Sequence, residues 1–143
     1  MRWLVLQRPG VRRSMRRGQT IFVDIDYEKL MVHKKTAIRR TQEIADLLGD
    51  VEYLSDESPI QIRSSRYMAV GCDLKNLTKL EDVMRNHILP SADCSVLCLA
   101  EVSLTYMDVK SSNAVISWAS KLTTGESNPP TLNSLLIPWI VKI

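Results

Sequence analysis

The chain has 143 residues, of which 45% are hydrophobic and 24% are charged, a composition that is ordinary for one globular domain with its own core. Its three cysteines form no CxxC pair and only two histidines are present, so neither a disulfide framework nor a metal site is indicated. No apolar run approaches the roughly 20 residues needed to cross a bilayer, and we expect no membrane segment.

The net charge of +3 comes from the first 20 residues, which contain six arginines and no acidic residue. Removing those six leaves 13 basic residues against 16 acidic ones. An Arg-rich, acid-free leader is typical of a mitochondrial transit peptide. It is also compatible with a tRNA-contacting arm or with a segment foreign to the domain, and we favour the last. The expected organisation is a leader at 1–20, a domain at 21–122 and a divergent tail at 123–143, in a cytoplasmic protein unless the leader is a transit peptide.

The first half of the predicted domain contains one strand and one helical region. The β-branched run Ile21–Ile25 predicts a buried strand. Apolar residues at helical spacing predict a helix over Tyr27–Leu48, broken near Thr41 and stopped by Gly49. Residues 50–65 carry acids, serines and a proline without periodicity, which predicts a loop or an insertion.

The second half repeats the alternation of strands and helices. Tyr67–Val70 predicts a strand, and Leu77–Ile88 an amphipathic helix that Asn76 could cap. Val96–Ala100 is an apolar strand, and Asp108–Leu122 is a last helix. Strands that alternate with helices in this order predict a parallel sheet with crossover helices, and therefore a Rossmann-like α/β fold.

Each predicted strand is followed by an acidic residue: Asp26, Asp73 and Glu101. Ligands of open α/β sheets lie at the carboxyl ends of the strands, where carboxylates accept hydrogen bonds from ribose hydroxyls or an adenine amino group. Asp24 lies on the same side of its strand as Asp26 because the two are two residues apart. These acids predict a nucleoside-cofactor site. The alternative is that each one merely caps a turn or a helix.

The segments FVDIDYEKLMVHKK, SSRYMAVGCDLKNLTKLEDV and LCLAEVSLTYMDVKSSNAVISWAS together resemble the leucine carboxyl methyltransferase family over about residues 21–121. The resemblance implies a class I S-adenosyl-L-methionine-dependent methyltransferase fold and transfer of a methyl group to a carboxylate. It implies that Asp26 binds the ribose, that Asp73 and Leu74 flank the adenine, and that Glu101 belongs to the cofactor site. For these positions the resemblance favours ligand binding over capping.

Within that family, FVDIDY and AEVSLTYM are most similar to a fungal branch that acts in tRNA wybutosine biosynthesis. The implied substrate is the carboxylate side chain of the modified guanosine beside the anticodon of phenylalanine tRNA. Two alternatives stay open. One is a protein leucine carboxyl methyltransferase that acts on a phosphatase C-terminus, and the other is a non-catalytic binding or regulatory fragment.

The sequence departs from the family pattern at both ends. We find neither the family's first strand with its glycine-rich turn nor its C-terminal strands, which the residues after 122 do not resemble. We therefore expect an incomplete fold whose sheet lacks its central strand. Because methyl transfer depends on the alignment of donor and acceptor, we also expect this chain to be inactive or nearly so by itself.

Overall fold

The structure, a computed structural model, describes residues 2–7, 20–88, 95–100 and 103–124. These residues form a six-stranded sheet with helices on both faces. The strands are β1 (Arg2–Gln7), β2 (Thr20–Asp26), β3 (Glu52–Tyr53), β4 (Ile60–Arg63), β5 (Tyr67–Gly71) and β6 (Ser95–Ala100). The helices are α1 (Glu28–Arg40), α2 (Gln42–Leu48), α3 (Leu77–Val83) and α4 (Val109–Thr124); a π-helical turn (Met84–Ile88) follows α3 and a 3-10 turn (Ser103–Tyr106) precedes α4. The α/β class predicted from the sequence is confirmed.

The strands lie in the order β3-β4-β5-β2-β1-β6. β2 and β5 are parallel, with Asp26 level with Gly71. β1 is antiparallel to both β2 and β6, so β2 and β6 run in the same direction. The three strands of the predicted strand–helix alternation therefore all run the same way. β1 and β4 run against them and make the sheet mixed, which the sequence did not predict. β3 is antiparallel to β4 and therefore runs in the same direction as β5.

Residues 2–7 differ from the expectation, because we placed them in a leader outside the domain. They form β1, which lies between β2 and β6, at the position where we expected the sheet to lack a strand. The reason is visible in the sequence: Trp3–Leu6 is an uncharged apolar run, and most of the leader's arginines come after Gln7. The boundary near residue 123 stays a prediction, since residues 125–143 lie outside the described part.

The prediction of a loop over residues 50–65 is wrong, because this segment contains β3 and β4. Ile60 pairs with Val70 and Ile62 with Ala69, so Gln61 is an extra residue in a β-bulge. The bulge sends Ile60 and Ile62 to opposite faces of the sheet. With Gln61 also buried, β4 has no alternation of apolar and polar residues by which it could be recognised.

The core lies on both faces of the sheet. On one face, Ile21, Val23 and Ile25 of β2 belong to a cluster with α3 and α4, whose members include Leu80, Val83 and Val115. On the other face, Met31 and Ile38 of α1 belong to a cluster with Ile62, Tyr67 and Ala69. Burial on both faces explains the apolar sequence of β5, whose residues are all buried or partly buried.

The predicted helix limits are confirmed where a local signal specifies them. The helical region after β2 breaks at Thr41, and α2 ends at Gly49 with a φ of 81°, a conformation that glycine adopts readily. The Asn76 side chain accepts a hydrogen bond from the Lys79 backbone N–H at 3.1 Å and so caps α3. Within the described residues, the helices are too short or too polar to cross a bilayer.

Candidate cofactor-binding edge

The carboxyl ends of β2, β5 and β6 meet at one side of the sheet, which we call the carboxyl edge. β2 and β5 end together, since Asp26 is level with Gly71 and the Asp26 carbonyl accepts the Cys72 N–H at 2.8 Å. Trp3 pairs with Asp24 on one side and with Leu99 on the other, so β6 ends at nearly the same level. Glu101 follows β6 directly in the sequence but lies outside the described residues.

Asp26 occupies the predicted position at this edge. It is partly exposed, and its Oδ1 accepts a hydrogen bond from the Tyr27 N–H at 2.8 Å, immediately before α1 begins. The capping role considered from the sequence is therefore present. It does not exclude ligand binding, because an ionised carboxylate has two oxygens and about four acceptor sites.

Asp73 and Leu74 follow β5 and have different environments. Asp73 is exposed, and its Oδ1 accepts the Lys75 N–H at 2.9 Å in the turn before α3. Leu74 is 6% exposed and belongs to the core cluster under α3 and α4. Its side chain is thus part of the core, and a contact with a nucleoside at this edge would have to come from its backbone.

Gly71 allows α1 to pack closely against the end of β5. A Cβ atom at this position would lie 2.9 Å from the Glu28 Cα, too close for any side chain unless the backbone of α1 moves. Glu28 also pairs with Lys79 of α3 at 2.5 Å, and this hydrogen bond raises the Lys79 pKa. Both side chains are exposed, so the pair contributes little stability. Gly71 and Glu28 therefore shape the edge between Asp26 and Asp73.

A cluster of the buried Asp24 and Tyr67 with the partly buried Lys34, the Asp24 cluster, lies on the α1 face of the sheet. Asp24 is fully buried, and its Oδ2 accepts hydrogen bonds from Lys34 Nζ and, at 3.3 Å, from the Tyr67 hydroxyl. Lys34 Nζ also lies 5.6 Å from the centroid of the Tyr67 ring. Burial, and then the Asp24 charge, raise the pKa of the Tyr67 hydroxyl.

Sequence reasoning placed Asp24 beside Asp26 but missed its partners. The Asp24 Oδ1 has no hydrogen-bond partner among the described residues, and Oδ2 is occupied by the cluster. An aspartate inside an apolar strand is a signal that a cation must lie nearby, because an unpaired buried charge is costly. The sequence does not say which lysine supplies it.

The described residues show no sign of metal or covalent chemistry at the carboxyl edge. They contain no group of three or more His, Cys, Asp or Glu residues arranged to hold a metal ion. Burial raises the pKa of the Cys72 thiol, and that of Cys98 to about 12, so neither is a reactive thiolate at neutral pH. The carboxylates of Asp26 and Asp73 give the edge hydrogen-bond acceptors.

Two grooves lie away from the two edge aspartates. A groove of about 490 Å³ lies near the amino ends of β2 and β5, and its lining includes Phe22, Lys34, Ile38, Leu48, Arg66 and Tyr67. A groove of about 370 Å³ lies between α3 and α4. Neither of these two grooves is lined by Asp26 or Asp73.

Comparison with known proteins shows which proteins are related to this chain in sequence. Over 103 residues, 72% of its length, the chain is 76% identical to tRNA wybutosine-synthesizing protein 4 of Aspergillus fumigatus. The chain is a relative of tRNA wybutosine-synthesizing protein 4. The protein of that name from Candida albicans is 33% identical over 105 residues, 71% of this chain. No protein-family model matches the chain.

A plant protein extends the relation beyond the fungi. The chain is 31% identical over 107 residues, 73% of its length, to a leucine carboxyl methyltransferase 1 homolog of Arabidopsis thaliana. The resemblance read from the sequence segments is thus confirmed. The match covers 10% of the Aspergillus fumigatus relative, 15% of the Candida albicans relative and 31% of the plant relative.

Proposed function

We propose that this chain is the nucleoside-binding part of an S-adenosyl-L-methionine-dependent methyltransferase with a Rossmann-like class I fold, acting in tRNA wybutosine biosynthesis. Its substrate would be the carboxylate side chain of the modified guanosine next to the anticodon of phenylalanine tRNA. The observation that carries the proposal is the 76% identity over 103 residues to a tRNA wybutosine-synthesizing protein 4.

The carboxyl edge supports a nucleoside cofactor by its chemistry. Asp26 and Asp73 follow adjacent parallel strands, and both are exposed or partly exposed. A nucleoside presents hydroxyl and amino donors, and carboxylates form strong, directional hydrogen bonds with such donors. Asp26 would accept from the ribose hydroxyls and Asp73 from the adenine amino group, with the Leu74 backbone beside the base. Glu101 would supply a further acceptor after β6.

The proposed reaction requires little acid–base chemistry from the protein. The bound cofactor supplies an activated methyl group. An acceptor carboxylate is already ionised at neutral pH, so its oxygen needs no general base before attack. The role of this chain would be to hold and orient the nucleoside portion of the donor, and alignment of the two reactants accounts for a large part of the rate in such transfers.

Calorimetric titration with S-adenosylhomocysteine tests the proposal. Asp26→Asn keeps an acceptor for the Tyr27 N–H but removes the charge, and Asp73→Asn does the same at the turn. We expect each substitution to weaken binding by about 10-fold or more, since hydrogen bonds to charged groups contribute about 1.5–3 kcal/mol. Asp82→Asn, exposed on α3, is the matched control and should bind normally.

A folded native chain that fails to bind S-adenosylhomocysteine, or binding unaffected by both substitutions, would refute the cofactor role of this edge. Circular dichroism of each variant separates lost binding from lost folding. The expectation that this chain is inactive by itself is tested separately by incubation with labelled S-adenosylmethionine and phenylalanine tRNA whose modified guanosine carries the free carboxylate side chain. Measurable methyl transfer would overturn it.

A second candidate is methylation of a protein C-terminal leucine, favoured by the similarity to the plant leucine carboxyl methyltransferase 1 homolog. Offering a peptide that ends in leucine beside tRNA, together with labelled donor, distinguishes the two substrates in the full-length relatives. Preferential labelling of the peptide would favour this candidate. We expect the tRNA to be labelled, because identity to the tRNA-related proteins is much higher.

A further inference from the structure

We propose that residues 2–7 are the positioning strand of the carboxyl edge. As β1 they fill the space between β2 and β6, and they determine how far the end of β6 lies from the Asp26 end of β2. The consequence for cofactor binding rests on the proposed function, but the strand arrangement does not. Residues 2–7 belong to a segment whose composition resembles a targeting leader, yet they would help to position the residues of the site.

The register of β1 carries this inference. Each residue from Arg2 to Gln7 has a partner on β6, and those from Trp3 to Gln7 also have partners on β2. Leu4, for example, pairs with Val23 on one side and with Cys98 on the other. In the described sheet β6 is an end strand whose neighbour is β1. The sheet therefore connects β6 to β2 through β1.

The spacing of strands explains why this space needs a strand. Neighbouring strands lie about 4.8 Å apart, so β2 and β6 are separated by roughly twice that distance. Without β1, both strands would present rows of unpaired backbone N–H and C=O groups. An extended segment satisfies both rows, and residues 2–7 do so in the antiparallel direction.

The same register of β1 fixes the position of the end of β6 relative to Asp26 at the carboxyl edge. A slip of one residue between β1 and β6 would move the end of β6 by about 3.4 Å relative to Asp26 and would exchange the two faces of β6. Hydrogen bonds tolerate only a few tenths of an ångström. A ligand that contacts the end of β2 and the end of β6 can therefore be bound only when β1 keeps this register.

Cysteine scanning tests the register, using the native Cys98 as the partner. Directly opposed residues of antiparallel strands have Cα atoms about 4.5–5.5 Å apart, within the range that a disulfide spans. We would make Leu4→Cys and oxidise the purified chain with copper phenanthroline. Because burial raises the pKa of the Cys98 thiol to about 12, the reaction is followed for hours, and linkages are assigned by peptide mapping.

The matched controls are Val5→Cys and Leu6→Cys, whose partners on β6 are Leu97 and Val96. We expect a disulfide between positions 4 and 98 only, and none when Leu4→Cys is combined with Cys98→Ala. A disulfide from position 5 or 6 to Cys98, or none from position 4 in a folded chain, would overturn the proposal. This outcome does not depend on cofactor binding.

The positioning role is tested by S-adenosylhomocysteine binding. The chain locked through positions 4 and 98 should bind as well as its reduced form. Val5→Pro, which removes a backbone N–H from the middle of β1, should bind at least 10-fold more weakly while keeping its helical signal. If Val5→Pro bound S-adenosylhomocysteine as tightly as the native chain, the positioning role of β1 would be refuted. The expected disulfide in a chain that binds no S-adenosylhomocysteine would support the strand register and count against the proposed function.

Discussion

Asp24 and Asp26 lie two residues apart on β2, yet Asp24 is fully buried and Asp26 is partly exposed. Asp24 is held by a lysine and a tyrosine from other parts of the chain. Asp26 accepts the N–H of the residue that follows it. Asp73 and Asn76 also accept nearby backbone N–H groups, each two or three residues further along the chain. Asp24 is therefore held by side chains that lie 10 and 43 residues away in the sequence, whereas Asp26, Asp73 and Asn76 each accept an N–H group from a residue close by.

This difference shows what burial demands of a polar side chain. An ionised carboxylate in the core needs an opposite charge, whereas one at the edge is solvated and needs only an N–H group to order it. Substitutions in the Asp24 cluster should therefore lower the free energy of unfolding more than substitutions at the carboxyl edge. The edge carboxylates keep acceptor capacity that a ligand can use.

The largest effect is expected for Lys34→Met, which leaves the Asp24 charge buried without its cation. The free energy of unfolding should fall by about 3 kcal/mol, the lower end of the range for breaking a buried pair, because Lys34 keeps 24% of its side chain exposed. Urea denaturation measures the change. Lys29→Met, exposed on the same helix, is the control and should change stability by less than about 0.5 kcal/mol. Equal midpoints for the two variants would contradict the distinction between interior and edge.

Gly71→Ala tests the close packing that joins the two regions. The new Cβ would meet the Glu28 Cα at 2.9 Å, and relieving this contact requires α1 to move. We expect a loss of about 1–3 kcal/mol, as in other overpacked sites. Since α1 begins next to Asp26, binding of S-adenosylhomocysteine should weaken as well. A variant with native stability would mean that the start of α1 is not tightly packed here.

Asn76→Ala removes a local hydrogen bond at the edge. It should lower the free energy of unfolding by about 1 kcal/mol, the usual cost of losing a helix N-cap. Asn76→Asp keeps an acceptor oxygen and should retain most of the stability. Thermal or urea unfolding of the pair gives the comparison, and identical losses in both variants would show that the cap contributes nothing.

The smallest effect is expected at Asp108, which precedes α4. Hydrogen bonds from the Ser111 N–H and hydroxyl, with Lys75 nearby, lower the pKa of this carboxyl from 3.8 to about 2. Because the pKa is lower in the folded state, the stabilisation is present above about pH 4 and is lost as the pH falls towards 2. Unfolding midpoints between pH 5 and pH 2.5 should fall more steeply for the native chain than for Asp108→Ala. Parallel plots of unfolding midpoint against pH for the two proteins would contradict a stabilising role of the Asp108 carboxylate.

Local signals predicted a good part of this fold. The apolar run before Asp26, the break at Thr41, the glycine after α2 and the Asn76 cap each depend on neighbouring residues, and all are present in the structure. The positions of Asp26 and Asp73 at one edge also followed from strand order, because parallel strands end together.

The errors have a different origin. β4 was taken for a loop because a bulge and burial on both faces remove its periodicity. β1 was assigned to a leader because charge counting over 20 residues concealed a short apolar segment. The ligand roles of Asp26, Asp73 and Leu74 stay predictions, and Glu101 lies outside the described residues.

The sequence by itself determined the family relation, the alternation of strands and helices, and the acidic residues that follow the strands. Only the tertiary structure decided that Asp24 is paired with Lys34 and Tyr67, that the Leu74 side chain lies in the core, and that residues 2–7 complete the sheet. Caps and turns are made by residues a few positions apart, and their chemistry is visible in a short window. The partners of β1 and of the buried Asp24 lie ten or more residues away in the sequence, and only the packed chain determines which groups meet.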